Sequence, residues 1–172
     1  MHTAAKESKP SALRLVGLYG AGGFAREVMP LLRQQLTVSP GDNPAVETRL
    51  AFIETEASQR TVNGLPLVSE DEFFAMDCDE RLVNVAIGHS VARERIAQTC
   101  MSRGARPLSI QAASAKVYDG NQIGEGVILC DHTLVTSNAR IGRFFHANIY
   151  SYVAHDCVIG DYVTFAPSVH CN

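Results

Sequence analysis

Residues 123–160 read IGEGVILCDHTLVTSNARIGRFFHANIYSYVAHDCVIG, and an Ile-Gly pair recurs in this stretch at intervals of eighteen residues. A shorter interval runs through it, because an apolar or small residue returns at every sixth position. These residues are Val117, Ile123, Leu129, Val135, Ile141, Ala147, Val153, Ile159, Phe165 and Cys171. Neither interval matches the roughly 3.6-residue period of a helix or the alternation of a lone strand. A fixed repeat of this kind predicts stacked coils that share one core, with three hexads in each coil.

The charged residues of the repeat avoid two positions of each hexad. Counting from the apolar residue, the fifth position is small or β-branched in eight of ten hexads, with Asn121 and Phe145 as the exceptions. None of the eight Asp, Glu, Lys and Arg residues after Gln111 stands at the first or fifth position. Because burying an unpaired charge is costly, these positions are predicted to point inward. An antiparallel β-sandwich would instead show alternation and irregular turns, without an eighteen-residue repeat.

Length and composition exclude several classes of protein. The chain has 172 residues and a net charge of -3, which argues against a nucleic-acid surface. No apolar run approaches the roughly 20 residues of a membrane span, and residues 1–12 are expected to form a disordered lead. The five cysteines are odd in number and contain no CxxC, so neither a disulfide framework nor a metal site is predicted. Reduced thiols indicate a cytoplasmic protein.

The N-terminal part has the pattern of a strand, a glycine turn and a helix. Residues 13–19 are a short apolar run, GAGGFA follows at 20–25, and a helical pattern begins at Arg26. This spacing fits G-x-G-x-x-G/A, in which backbone N–H groups at the helix start face an anion. The alternative is a glycine turn that only packs a helix against a sheet.

The remaining elements predict a small parallel sheet. A second strand, 49–54, ends in Glu54, which in dinucleotide folds accepts hydrogen bonds from a ribose, although an exposed strand-end glutamate is an equal alternative. A helix capped by Ser69, a third strand at 81–88 and a helix at 90–103 follow. We therefore predict a Rossmann-like domain over residues 13–108, with room for one nucleotide and a sugar, and a β-helix over 109–172.

These features together resemble one family. The hexads resemble the hexapeptide-repeat acyltransferases, whose fold is the left-handed parallel β-helix. Their combination with GAGGFAREV at 20–28 and VAIGH at 85–89 is similar to the bacterial sugar acyltransferases. Members of that subfamily N-acetylate nucleotide-linked amino sugars or O-acetylate sialic acid. The resemblance covers residues 14–172 and implies acetyl-CoA as co-substrate, a nucleotide-activated amino sugar as acceptor, and a homotrimer with sites at the subunit seams.

The resemblance also implies catalytic residues within VAHDCVIGD at 153–161. His155 would be the general base, and Asp156 would raise its basicity and fix its tautomer. Asn148 matches an asparagine near the active site in some relatives, and Thr164 would contact acetyl-CoA. The four histidines of the repeat occupy different phases of the coil, so a zinc-binding ladder is disfavoured. His146 and His170 are expected to be solvated and without a role.

For the acceptor, the resemblance implies a phosphate loop followed by two further contacts. The residues concerned are Gly20, Ala21, Gly22, Gly23 and Phe24 in the loop, Glu54 and Thr55 beside the base or ribose, and Gly88 beside the sugar. This chain departs from its relatives at Phe24, where they often have histidine, and at Glu54-Thr55, where they often have paired aspartates. The identity of the nucleotide and of the sugar therefore stays open.

Other functions stay open at this stage. Family members usually continue beyond the point that corresponds to Asn172, so the β-helix is expected to be truncated. A non-catalytic β-helix that only assembles or binds is one alternative, and a sugar or sialic acid O-acetyltransferase is another. An NAD-dependent oxidoreductase is the least favoured, because the chain lacks a second half-domain and such an enzyme would leave the eighteen-residue interval unexplained.

Overall fold

The computed structural model describes residues 12–38 and 46–172. Almost all of the predicted N-terminal lead, and most of the turn-rich segment 38–48, lie outside the described residues. The N-terminal part alternates strands and helices. Its elements are β1 (Ala12–Tyr19), α1 (Gly23–Val38), β2 (Val46–Glu54), β3 (Thr61–Val62), β4 (Leu65–Ser69), α2 (Glu70–Ala75), β5 (Glu80–Val85), α3 (Ser90–Ser102) and β6 (Arg106–Pro107).

These strands form one six-stranded sheet in the order β3-β4-β2-β1-β5-β6. All neighbours are parallel except β3 and β4, which form an antiparallel hairpin. The hairpin turns at Asn63 and Gly64, both with positive φ, which is the backbone conformation that favours Asn-Gly in a two-residue hairpin turn. The two strands of the hairpin were not predicted, because segments this short carry too little periodicity.

The predicted strands and helices appear with shifted ends. β2 begins at Val46, three residues before the predicted start, and β5 ends at Val85, before the predicted Gly88. Ser69 caps α2 as predicted, since its hydroxyl accepts from the Glu72 amide while the Glu72 carboxylate accepts from the Ser69 amide.

The C-terminal part is a parallel β-helix with an eighteen-residue coil, which confirms the repeat prediction. Its strands have two residues each. They are β7 (Ile110–Gln111), β8 (Lys116–Val117), β9 (Gln122–Ile123), β10 (Ile128–Leu129), β11 (Leu134–Val135), β12 (Arg140–Ile141), β13 (His146–Ala147), β14 (Tyr152–Val153), β15 (Val158–Ile159), β16 (Thr164–Phe165) and β17 (His170–Cys171).

The strands stack into three parallel sheets, one for each side of a triangle. The first stack is β7-β10-β13-β16, the second is β8-β11-β14-β17, and the third is β9-β12-β15. Paired residues are eighteen apart throughout, for example Ile128 with His146. Backbone hydrogen bonds of about 2.8–3.0 Å between coils, such as the Ile128 amide to the Phe145 carbonyl, hold the stacks together.

From Val117 onward, the corners of the triangle are made by residues with positive φ, one in each complete hexad. They are Gly120, Gly126, His132, Asn138, Phe144, Tyr150, Asp156, Tyr162 and Ser168. Only the first two are glycines, so most corners carry a side chain in a backbone conformation that such residues rarely adopt. The coil-to-coil hydrogen bonds at these corners, such as the Phe144 amide to the Glu125 carbonyl, compensate for that cost.

The first and fifth hexad positions point inward, as predicted. Leu129, Val135, Ile141 and Ala147 are all buried in the coil interior. The inward amide of Asn121 is satisfied, because its Nδ2 donates to the Thr136 carbonyl and its Oδ1 accepts from the Ala139 amide. Ser151, another inward polar residue, donates to the Ala166 carbonyl, whereas the buried Thr133 hydroxyl has no partner among the described residues.

The outer face of the first stack is covered by the N-terminal part of the chain. Ile110 and Ile128 point away from the coil interior, yet both are fully buried in one cluster with Val28 and Leu32 of α1. The side chain of Gln35 bridges the same junction, since it donates to the Ser109 carbonyl and accepts from the Gln111 amide. The sheet and the β-helix thus share a continuous apolar core, and five of the predicted site residues meet at their junction.

Candidate active site

The residues predicted to hold the acceptor lie at one edge of the sheet. The carboxyl ends of β2, β1 and β5 are adjacent, so the glycine loop after β1 lies between Glu54 and Gly88. The chain passes to one side of β1 to form β2 and later to the other side to form β5. Such a switch point leaves a crevice at the carboxyl edge of a parallel sheet, and ligands bind there in many α/β proteins.

The glycine loop leaves room at the start of α1. Gly20 has φ 108, and its amide donates to the Ile53 carbonyl, so the chain turns away from the sheet at this residue. A Cβ at Gly22 or Gly23 would meet no atom within 4 Å, so the loop is open to the solvent side. The first amides of a helix have no partner inside it and attract an anion.

Glu54 and Thr55 lie beside the loop but face a different direction. The Thr55 hydroxyl is 3.0 Å from the Tyr19 hydroxyl, which also donates to a Glu70 carboxylate oxygen. Burial raises the pKa of Tyr19 to about 12, so this phenol stays protonated and anchors Thr55. Among the described residues, the Glu54 carboxylate accepts a hydrogen bond only from the Ser58 hydroxyl, at 3.4 Å.

A cavity of about 340 Å³ lies where the glycine loop meets the β-helix. We call it the junction cavity. It brings together five predicted residues from four separate segments of the chain, which are Gly23, Phe24, Gly88, Asn148 and Thr164. Its remaining walls are Glu27, Phe165, Ala166 and Pro167.

One buried arginine joins the two sides of the junction cavity. Arg93 of α3 is fully buried, and its Nη1 donates to the carbonyls of Ile87 and Gly88 at 2.6 and 3.2 Å. Its Nη2 donates to the carbonyl of Tyr162, a corner residue of the β-helix. Burial lowers the pKa of Arg93 to about 10, which still leaves it charged at neutral pH. The Thr164 hydroxyl also donates to the Gly88 carbonyl, at 3.0 Å, so the loop after β5 is held from both sides.

His155 and Asp156 lie at another corner of the same chain. They follow β14, at the corner between the second and third stacks, whereas Asn148 and Pro167 belong to the corner between the first and second stacks. The His155 Nδ1 is 2.7 Å from an Asp156 carboxylate oxygen, and the two side chains are 77% and 69% exposed. The structure therefore pairs the predicted base with its carboxylate, but within one chain it does not place them on the junction cavity.

His146 differs from its predicted role. It was expected to be solvated, but it is fully buried on the outer face of β13, near the Val85 backbone, and neither ring nitrogen has a hydrogen bond of normal geometry within the described part of the chain. The expectation was wrong because α1 and the glycine loop cover that face. Its ring lies 5.2 Å from the ring of Phe24. Burial, with a smaller effect of the nearby Arg93 charge, lowers the pKa of His146 well below its ordinary value, so the ring is neutral.

A second cavity adjoins the first. It measures about 390 Å³ and shares Glu27, Asn148 and Pro167 with the junction cavity, while Cys130 and Asp131 line its far end. A wider depression of about 780 Å³ lies between α2 and residues 57–60, where none of the predicted site residues is found. The predicted site residues therefore lie at the two small cavities and not at the wider depression.

Neither a metal cluster nor a membrane span is found among residues 12–38 and 46–172. No group of three or more His, Cys, Asp or Glu side chains in these ranges could hold a metal ion. No helix in the described part of the chain is long and apolar enough to cross a bilayer.

Known proteins similar to this chain provide a second kind of evidence beside the geometry. No family model matches the chain. GDP-perosamine N-acetyltransferase of Escherichia coli O157:H7 is 41% identical over 160 residues, which are 93% of this chain and 71% of that protein. The solved structure of WeeI from Acinetobacter baumannii AYE is 46% identical, with a TM-score of 0.84 over 92% of this chain and 72% of that one.

A more distant structure shares the fold. A mutant of GDP-perosamine N-acetyl transferase from Caulobacter crescentus, in complex with CoA and GDP-perosamine, is 23% identical, with a TM-score of 0.76 over 90% of this chain and 70% of that one. The parallel stacks and these neighbours are consistent with the expected left-handed β-helix. The identity and coverage of the two nearer relatives show that this chain belongs to the bacterial nucleotide-amino-sugar N-acetyltransferases of the hexapeptide-repeat superfamily.

Proposed function

We propose that this protein transfers an acetyl group from acetyl-CoA to the amino group of a nucleotide-linked amino sugar, with GDP-perosamine as the first acceptor to test. The observation that carries the proposal is the junction cavity, in which the glycine loop and Gly88 face Asn148 and Thr164 across one space. The relative from Escherichia coli bears the name of this reaction. A cavity of about 340 Å³ is suited to a sugar rather than to a whole nucleotide.

The N-terminal sheet is proposed to hold the nucleotide as a Rossmann-like unit. The open amides at Gly22 and Gly23 would face the diphosphate, and Glu54 and Thr55 would lie beside the ribose or base. Gly88 has open space around it, so its backbone would approach the sugar closely. The sugar would then extend from the sheet edge into the junction cavity, toward the β-helix.

His155 is proposed as the general base. With Nδ1–H donating to Asp156, the other ring nitrogen, Nε2, holds a lone pair and takes a proton from the sugar's amino group. The amine nitrogen attacks the thioester carbonyl, the C–S bond breaks as the amide bond forms, and the proton on His155 passes to the departing thiolate. Asn148 and Thr164 would hold the acetyl-CoA end of the cavity.

Assembly into a homotrimer would complete this site. Within one chain His155 is one side of the triangle away from the junction cavity, and a neighbouring β-helix could present its own His155 there. Three apolar side chains on the outside of the coil support such packing, since Ile149, Tyr150 and Val158 are 40%, 56% and 65% exposed. Light scattering on the purified chain should give three subunits, whereas a monomer that turns over substrate would contradict the shared site.

The test is a thiol-release assay with acetyl-CoA and a panel of GDP-, UDP- and dTDP-linked amino sugars, with sialic acid as an O-acetyl acceptor. We expect turnover of an amino sugar and a loss of roughly 10²- to 10⁴-fold in His155→Ala. The matched control is His170→Ala, which removes another exposed imidazole of the β-helix and should leave the rate unchanged. Absence of turnover in the wild type, or equal rates in wild type and His155→Ala, would contradict the proposed reaction or the proposed base respectively.

A further inference from the structure

The Glu27 carboxylate lines both of the small cavities and has no structural role in the fold. It lies on α1, one turn beyond Gly23, and its side chain is exposed. Within the described part of the chain it makes no hydrogen bond or ion pair. A carboxylate on a cavity wall gains most from a cation or a donor supplied by a ligand.

The other titratable groups near Glu27 either have a hydrogen-bond partner within the protein or are neutral. Asp131 accepts a hydrogen bond of 2.5 Å from the Ser114 hydroxyl. Burial, with smaller effects of Glu27 and Asp131, raises the pKa of the Cys130 thiol to about 12, so it stays protonated. On the same helix, the Arg26 Nε donates back to the Gly22 carbonyl at 3.4 Å. The β-helix residues that line the junction cavity, Asn148 and residues 164–167, include no charged residue.

Glu27 therefore makes the charge distribution along the junction cavity asymmetric. The start of α1 at Gly22 and Gly23 carries the partial positive charge of a helix N-terminus, and Glu27 places a full negative charge about one turn further along. A ligand with an anionic group at one end and a cationic group at the other can satisfy both only in one orientation. A nucleotide-linked amino sugar is such a ligand, because its diphosphate is negative and its amine is protonated at neutral pH.

We propose that Glu27 binds the amino group of the acceptor sugar as an ammonium ion, and so orients the nucleotide sugar with its diphosphate at Gly22 and Gly23. This inference rests on the proposed acetyl transfer and names the residue that selects an amino sugar. The ammonium ion first gives one proton to solvent, and the neutral amine can still donate an N–H to the Glu27 carboxylate while its lone pair faces the thioester. The general base then takes the second proton as the amide bond forms and passes it to the thiolate. A sugar with a hydroxyl at this position lacks the charge and loses the ion pair.

The experiment compares wild type with Glu27→Gln, which keeps the shape of the side chain and removes its charge. At about pH 6.5 we expect the KM for the amino sugar to rise roughly ten- to a hundredfold, with the KM for acetyl-CoA unchanged. The ratio of the two KM values should shrink toward about pH 9, because the free amine loses its charge as the pH rises. The charge-matched control is Glu94→Gln on the exposed face of α3, which should behave as wild type.

A binding measurement separates recognition from chemistry. Calorimetry with the amino sugar nucleotide and with the same nucleotide sugar carrying a hydroxyl should show a preference for the amine in wild type and none in Glu27→Gln. Glu27→Asp, which keeps the charge at a shorter reach, should lose less affinity and retain the pH dependence; it also serves if the glutamine variant fails to fold. An unchanged KM in Glu27→Gln, or a KM ratio that is constant with pH, would overturn the inference. Wild type that acetylates no amino sugar would instead overturn the proposed function.

Discussion

Two regions of the β-helix follow the same repeat but differ in environment. One is the outer face of the first stack, which the N-terminal part covers (the covered face), and the other is the exposed corner that carries His155 (the open corner). His146 and His155 both stand outside the coil interior and are nine residues apart. His146, on the covered first stack, is fully buried, neutral and without a hydrogen bond of normal geometry among the described residues. His155, at the corner between the second and third stacks, is 77% exposed and paired with Asp156. The coil therefore sets only whether a side chain points outward, while a neighbouring element decides whether that side chain is buried and how its ionisation is affected.

Removing Arg93 should have the largest effect, because it breaks the attachment of the covered face. Arg93→Met leaves the carbonyls of Ile87 and Tyr162 without the donor that Arg93 supplies, while the Gly88 carbonyl keeps its hydrogen bond from Thr164. We expect the free energy of unfolding to fall by about 3–5 kcal/mol. Urea denaturation measures the loss, and Arg93→Lys, which keeps the charge but not the fork, should lose less. An unchanged midpoint would mean that the apolar contacts alone hold the face.

Changing Asp156 should affect the open corner alone. In Asp156→Asn the amide can turn its NH₂ toward His155 Nδ1 and favour the wrong tautomer, so we expect kcat to fall roughly 10- to 100-fold. The pair is exposed, so the urea midpoint should stay where it is. A loss of stability without a loss of rate would show that this pair is structural. The control is Asp161→Asn, another corner carboxylate, whose Oδ1 accepts from the Arg143 amide; its rate should stay near wild type.

Replacing His146 should remove a smaller, pH-dependent difference between the two regions. Because burial holds the folded-state pKa of His146 well below its ordinary value, acidification below about pH 6.5 protonates the unfolded chain first. Stability should fall by up to about 1.4 kcal/mol per pH unit from this residue, and His146→Leu should abolish that share of the slope. Urea unfolding at about pH 7.5 and pH 5.5 measures it. His170→Leu, at an exposed site, should keep the wild-type slope; equal slopes in all three proteins would contradict the argument.

Much of the fold could be predicted from the sequence, because each position of the hexad repeat can be assigned to a particular residue. The Ile-Gly interval gave the coil length, and the absence of charge from two hexad positions gave the inward face. The short hairpin strands at Thr61–Val62 and Leu65–Ser69 carried no such signal. The burial of His146 was missed because a hexad pattern describes one coil and says nothing about what packs against it.

The candidate site was predictable in parts. Gly23, Gly88 and Thr164 were each implied by the resemblance to the sugar acyltransferases, and all three line one cavity. Glu27 was missed, since a glutamate in the first turns of a helix resembles any solvated side chain. A charged residue at that helical spacing from a glycine loop is the signal that could have found it.

By itself, the sequence determined the period of the β-helix, the strand-loop-helix at the N-terminus and the resemblance to sugar acyltransferases. These properties depend on the spacing of residues that are close together in the chain, so the sequence is enough to recognise them. The tertiary structure decided that the first stack is covered, that Arg93 joins Gly88 to Tyr162, and that Glu27 faces Thr164 across a cavity. It also separated His155 from that cavity within one chain. Such features arise where distant segments pack together, and packing is set by the shapes and charges of both partners rather than by either pattern alone.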